Sequence, residues 1–212
     1  MKLKNEDLLL YGVTDRSWVG EKSLMSQIQE SLEGGITCIQ IREKNLADEK
    51  FKEEAIQIKE LVDTYKVPFI INDNVSIAVE IGASGVHIGQ KDMEIEKARK
   101  LLGDNMILGV SAATVEEAIE AEKKGADYLG VGAIFVTSTK QNTRSVSKEL
   151  LKQISDSVRI PVVAIGGINE TNIDILGGTG INGVAVVSAI YGKEDIKEST
   201  INLKKQVAKI VG

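Results

Sequence analysis

A chain of 212 residues with 42% hydrophobic and 27% charged residues has apolar material for one well-buried domain and is short for two. Its formal net charge of −5 excludes a general nucleic-acid surface, which needs a basic patch, though it allows a small local basic pocket. The single cysteine, Cys38, excludes an internal disulfide and a Cys-rich metal site; in the apolar run Ile36-Thr37-Cys38-Ile39 it reads as a small buried residue rather than a nucleophile. No stretch is long and apolar enough to span a membrane, and MKLKNEDLLLYG has too short an apolar run for a signal peptide, so a cytoplasmic protein with no membrane partner is expected. Homo-oligomerisation is left open.

Strands are predicted at 7–13, 36–41, 67–71, 85–88, 106–110, 127–131, 161–165 and 182–187. Runs such as Val67-Pro68-Phe69-Ile70-Ile71 and Pro161-Val162-Val163-Ala164-Ile165 suit parallel strands covered on both faces. Helical patterns lie between them, clearest at 48–65 and 114–124, where Thr114 and Glu117 form a capping-box signature. Glycines at Gly34-Gly35, Gly82, Gly103, Gly125 and Gly177-Gly178 mark left-handed stops before the next strand. The units Gly82-Ala83-Ser84 and Gly125-Ala126-Asp127 mark successive turns from helix to strand.

Eight strands alternating with helices leave a closed barrel or an open doubly wound sheet. The open sheet usually carries G-x-G-x-x-G after its first strand, and here that strand is followed by Thr14-Asp15-Arg16-Ser17. Glycine-rich phosphate cradles come late, at Gly166-Gly167 and around 183–188, as they do in barrels. The expected fold is α/β, a single-domain (β/α)8 TIM barrel over residues 1–212, its active site at the C-terminal ends of the strands.

Each predicted strand ends in a polar or glycine cluster. After the second strand, Gln40, Arg42 and Lys44 alternate with Ile41 and Glu43, so the three polar side chains share one face while Ile41 packs against helices. Arg42 offers a planar fork and Lys44 a point charge for phosphate oxygens. Asn72-Asp73 follows the third strand and Asp92 the fourth, and two carboxylates are a usual way to hold Mg2+. Both acids could instead cap helices, Asp73 over 74–82 and Asp92 near Met93. The only histidine, His87, either lines the pocket or holds the barrel floor. Ser111 follows the fifth strand. Thr137, Ser138, Thr139 and Lys140 lie after the sixth, in a segment reaching to about 147 that is long enough for a lid. Gly166-Gly167 and Val187-Ser188 close the last two strands, where main-chain N–H groups can approach a phosphate.

As an ordered set from about residue 8 to 190, these strings resemble the thiamin phosphate synthase family: Leu10 to Asp15, Gln40 to Lys44, Asn72-Asp73, Val86 to Asp92, Gly109-Val110-Ser111, Tyr128 to Gly132, Thr137 to Lys140, Ala164 to Ile168 and Ala185 to Ser188. The resemblance implies a transferase of alkyl or aryl groups in thiamine biosynthesis. It would join a hydroxymethylpyrimidine diphosphate to a thiazole phosphate, giving thiamin monophosphate and pyrophosphate. It implies that Gln40, Ile41, Arg42, Glu43, Lys44, Asn72, Ser111 and Lys140 bind the pyrimidine diphosphate. Asp73 and Asp92 would hold Mg2+, and Thr137, Ser138, Thr139, Gly167, Val187 and Ser188 would bind the thiazole phosphate. Substitution at the pyrimidine methylene would be dissociative, with Arg42, Lys44 and Lys140 stabilising the leaving group and Ser111 binding rather than attacking. The stretch Gln141-Asn142-Thr143-Arg144 departs from the acid-alanine or proline-bearing sequence expected there, which bears on loop closure and thiazole recognition. Three other readings stay in view: a thiazole tautomerase-like or regulatory relative, a phosphosugar isomerase, and a non-catalytic barrel that binds a phosphoryl ligand.

Overall fold

The computed structural model describes residues 3–20, 22–136 and 144–211. Eight parallel strands close into a barrel in chain order, β1 (Leu10–Val13), β2 (Cys38–Ile41), β3 (Phe69–Asn72), β4 (Gly85–Ile88), β5 (Ile107–Ala112), β6 (Tyr128–Val131), β7 (Val162–Ile165) and β8 (Gly183–Val186), with β8 pairing back onto β1. The predicted barrel is present, with shifted edges. The first predicted strand starts as a 3-10 turn, Asn5–Leu8, whose Leu8 enters the barrel interior. The fifth runs on to Ala112, so Ser111 lies within a strand rather than after one.

Around the barrel run α1 (Leu24–Glu33), α2 (Asp48–Tyr65), α3 (Val75–Glu80), α4 (Ile95–Leu102), α5 (Val115–Lys123), α6 (Lys148–Ser157), the short α7 (Ser188–Tyr191) and α8 (Ile196–Ile210). Between β7 and β8 stands only a 3-10 turn, Ile173–Leu176. Side chains alternate along each strand with period two. Leu10, Ile39, Ile41, Ile71, Val86, Leu108, Leu129 and Val184 pack outward against the helices, whereas Tyr11, Cys38, Ile70, Ile107, Tyr128, Val163 and Ala185 fill the interior. Cys38 is fully buried, and burial pushes its thiol far above the ordinary range, which removes it as a nucleophile.

Thr114 accepts from the Glu117 N–H at 3.2 Å as the capping signature requires, while the Glu117 carboxylate reaches back one residue further, to the Ala113 N–H at 2.8 Å. Gly35, Gly82, Gly103, Gly125 and Gly178 all have positive φ. Helix α2 departs from that rule: Lys66 takes the left-handed position, at φ 58°, just before Val67-Pro68.

The polar residues at the helix-to-strand turns have a shared function at the barrel floor. Thr37, Ser84, Asp127 and Asn182 each stand immediately before an even-numbered strand. Each accepts the N–H near the start of the preceding odd-numbered strand: Leu10 at 2.8 Å, Phe69 at 3.0 Å, Leu108 at 2.7 Å and Val162 at 2.9 Å. Arg99 adds to one of these clasps, donating to Asp127 Oδ2 at 2.5 Å and to the carbonyls of Gly103, Met106 and Gly125. Strand-start donors that would otherwise be buried without partners are thereby satisfied.

Candidate active site

A pocket opens at the C-terminal ends of the strands and holds about 1070 Å3 of empty space, counted out through its mouth. Gln40, Arg42, Asn72, His87, Ser111, Gly167, Val187 and Ser188 line it together with Tyr11 and Tyr128. Seven residues expected from the sequence to handle substrate therefore share one cavity. Ile41 and Glu43, expected as part of the same stretch, do not line it. Ile41 is fully buried in the outer core. Glu43 accepts from Arg16 Nε at 2.8 Å, and burial outweighs that partner in pushing its carboxyl above the usual range.

Arg42 is held from two sides. Its Nη1 donates to Asp15 Oδ2 at 3.0 Å, and its main-chain N–H donates to Thr14 Oγ1 at 3.1 Å. Asp15 escaped the sequence reading as a site residue, although it stands in the cluster that closes β1.

Strand β2 ends at Ile41, so the alternation does not carry on to Lys44. The Lys44 ammonium instead meets the Asp73 carboxylate at the rim, one residue beyond Asn72, and Asp73 lies close enough to Asp92 for each to perturb the other's carboxyl. Neither acid caps a helix. Asn74 caps α3, accepting from the Ile77 N–H at 3.0 Å, and α4 begins at Ile95 with no side-chain cap. Asp73 sits in the left-handed region at φ 63°, a conformation that an Asp tolerates better than most residues. Asp92 Oδ2 accepts the Gly89 N–H at 2.7 Å, which holds the turn after β4.

The two acids are driven apart electrostatically. Burial works to raise Asp73, but the hydrogen bond from Lys44 and the neighbouring Asp92 outweigh it and hold this carboxyl below the usual range. Burial and the adjacent Asp73 push Asp92 above that range. Two neighbouring carboxyl groups are hard oxygen donors that repel one another until a cation comes between them; the donor set therefore fits Mg2+.

His87 lines the pocket. Its Nδ1 is hydrogen-bonded to Tyr128 Oη and its Nε2 to Ser111 Oγ, both at 3.0 Å. Glycine makes room for these rings. A Cβ on Gly109 would lie 2.2 Å from Tyr128 Cζ, and one on Gly130 would lie 2.9 Å from His87 Cε1. Tyr11 and Tyr128 were not singled out as site residues. Their sequence signal is an aromatic at an inward strand position.

Gly166 and Gly167 have φ of 105° and 65°. A Cβ on Gly167 would fall 2.6 Å from the Val136 carbonyl oxygen, so this glycine also lets the segment after β6 pack closely. Thr137, Ser138, Thr139 and Lys140 lie outside the described residues. The far end of that segment is anchored by Arg144, whose Nη2 donates to both Glu117 oxygens at 2.6 and 2.7 Å and whose carbonyl accepts the Ala133 N–H at 2.9 Å.

Fold and site together define a (β/α)8 barrel with a cationic, carboxylate-rimmed mouth and glycines on its last strands, suited to phosphorylated substrates. The family model described as thiamine monophosphate synthase matches residues 10–190. The chain belongs to that family and so to the transferases of alkyl or aryl groups in thiamine biosynthesis. It is 52% identical over 196 residues to a thiamine-phosphate synthase of Clostridium acetobutylicum, covering 92% of this chain and 93% of that one. The relative in Clostridium tetani with the same name is 50% identical over 199 residues, covering 94% and 95%. A solved thiamine phosphate pyrophosphorylase from Pyrococcus furiosus superposes with a TM-score of 0.89 at 42% identity, covering 98% of this chain and 99% of that one. A 3-hexulose-6-phosphate synthase, at 16% identity and a TM-score of 0.71, shares the fold. Among the described residues, no helix is long and apolar enough to cross a membrane.

Proposed function

We propose that this chain condenses hydroxymethylpyrimidine diphosphate with hydroxyethylthiazole phosphate to give thiamin monophosphate and pyrophosphate. In the reaction the bond from the pyrimidine methylene to the diphosphate oxygen breaks, and the electron pair leaves with pyrophosphate. The thiazole nitrogen lone pair forms the new carbon–nitrogen bond.

The observation that carries this reading is the meeting in one mouth of Arg42, Asn72 and Ser111 with Gly167 and Ser188, beside a rim of Lys44, Asp73 and Asp92. Arg42, already oriented by Asp15, is suited to receive diphosphate oxygens, with Lys44 and Lys140 as further cations. Gly167, Val187 and Ser188, on the other side of the pocket, are suited to the thiazole phosphate with Thr137, Ser138 and Thr139. Asp73 and Asp92 are the residues that would hold Mg2+. Bound there, the metal would offset charge on the departing diphosphate. Val163, Ile165 and Ala185 give the pocket an apolar wall that keeps water from a reactive methylene. The whole chain acting as one domain, with small-molecule substrates and a cytoplasmic setting, belongs to the same proposal.

A thiazole tautomerase-like relative would have no need of the Arg42, Lys44, Asp73 and Asp92 set, whereas a non-catalytic phosphate-binding barrel would bind both substrates and form no product. The deciding experiment follows pyrophosphate release from the pyrimidine diphosphate with Mg2+, with and without the thiazole phosphate. Release coupled to thiamin monophosphate is expected, and binding of both substrates without release would refute the proposal.

A further inference from the structure

Five side chains cross the pocket floor in an unbroken file of hydrogen bonds. Gln40 Nε2 donates to Tyr11 Oη at 2.7 Å, Tyr11 Oη meets Tyr128 Oη at 2.8 Å, and the file continues through His87 to Ser111 at 3.0 Å per step. Burial raises both phenols well above their ordinary range, so neither becomes an anion, and each has one proton to give. With Gln40 donating at the head, one order that satisfies the file has each group passing a single proton onward. In that order Tyr11 accepts from Gln40 and gives its proton to Tyr128, and Tyr128 gives its own to His87 Nδ1. In the neutral ring the remaining N–H is on Nε2, facing Ser111 Oγ. Ser111 accepts it and keeps its own hydroxyl proton. Turning over the Gln40 amide would reverse the whole file and leave Ser111 with lone pairs alone for a ligand.

We propose that Tyr11, Tyr128 and His87 are positioning residues that fix the polarity of Ser111, so that its hydroxyl meets the pyrimidine as a donor to a ring-nitrogen acceptor. This rests on the reading that Ser111 binds the pyrimidine diphosphate. Gly109 and Gly130 support it, because both rings occupy space that any Cβ there would fill. Energetically the arrangement moves the cost of orienting a hydroxyl from the binding event into folding.

His87 is the only histidine, so protein labelled with nitrogen-15 at histidine gives the signals of one ring. The ligand-free protein, at a pH where the ring is neutral, should show a pyrrole-like Nε2 and a pyridine-like Nδ1. A pyrrole-like Nδ1 would overturn the proton order. Tyr128→Phe should mix the two tautomers and raise KM for the pyrimidine diphosphate by about tenfold, the scale of one buried hydrogen bond, with KM for the thiazole phosphate unchanged. In a Ser111→Ala background the same substitution should add nothing, and an additive loss would show that Tyr128 does not act through Ser111. Tyr11→Phe, which removes the head of the file and leaves the Tyr128–His87 bond, is expected to repeat both results should Tyr128→Phe fold poorly. Failure of the substrate reading would look different: Ser111→Ala would keep wild-type kinetics while the labelled ring kept its expected pattern, which overturns the positioning role.

Discussion

Asp15 holds Arg42 with one carboxylate oxygen, at 3.0 Å, and accepts the Ser17 N–H with the other, at 2.9 Å. One acid thus ties a pocket guanidinium to the short turn Arg16–Trp18. Asp15→Ala should leave Arg42 charged but unplaced, lowering kcat/KM for the pyrimidine diphosphate by about tenfold, as expected for one charge-assisted hydrogen bond. Arg42→Ala should cost more. Equal kinetics for wild type and Asp15→Ala would show that other contacts place Arg42.

Asp92→Asn retains an acceptor for the Gly89 N–H while removing a charge from the rim. The Mg2+ concentration for half-maximal turnover should rise by at least about tenfold with the fold intact, since fewer anionic ligands weaken a hard cation. Asp73→Asn should behave alike, because Asn also tolerates the left-handed backbone at φ 63°. A metal titration of product formation that superposes on wild type would remove both acids from the metal site.

Gly167→Ala combines a left-handed backbone with a Cβ placed 2.6 Å from a carbonyl oxygen. Loss of stability of about 1–3 kcal/mol is expected from overpacking, read as a lower Tm. KM for the thiazole phosphate should rise while pyrimidine diphosphate binding changes little. Affinity lost by the diphosphate instead would merge the two phosphate subsites into one.

Lys140→Ala tests the remaining cation. A charge interaction made mainly in the transition state, in a site closed to water, is worth ~3 kcal/mol, or about two powers of ten in rate. Single-turnover rates at saturating substrates should fall by that order, and Lys140→Arg should fall less. An Ala variant as fast as wild type would pass the leaving-group charge to Arg42, Lys44 and the metal.

The barrel was legible because each buried strand announces itself as a short aliphatic run and most helices that lead into a strand stop at a glycine, α2 and α6 excepted. Pocket residues at strand ends were legible for the same reason, as Gln40, Asn72 and Gly167 illustrate. Lys44 shows where periodicity gives out: the strand stops at Ile41, and beyond it the nearest carboxylate, not the pleat, decides where the ammonium goes. In Asn72-Asp73-Asn74 three residues could cap the next helix, and only the backbone geometry separates Asn74, the cap, from Asp73, left to the rim. Tyr11 and Tyr128 lie 117 residues apart and meet across the barrel, a contact set by strand tilt and stagger rather than by any local pattern.

The polar clasps at Thr37, Ser84, Asp127 and Asn182 repeat once per two strands, so the barrel floor has a fourfold rhythm that the mouth lacks. They sit at the opposite rim from Arg42, Asp73 and Ser188, one barrel length from the pocket. On the proposed function, durability and turnover are accordingly written on separate ends of the same strands. Ser84→Ala should lower Tm by the worth of about one hydrogen bond, ~1 kcal/mol, and leave kcat alone. An engineer seeking a hardier protein has four such places to work, all at the end of the barrel away from the pocket.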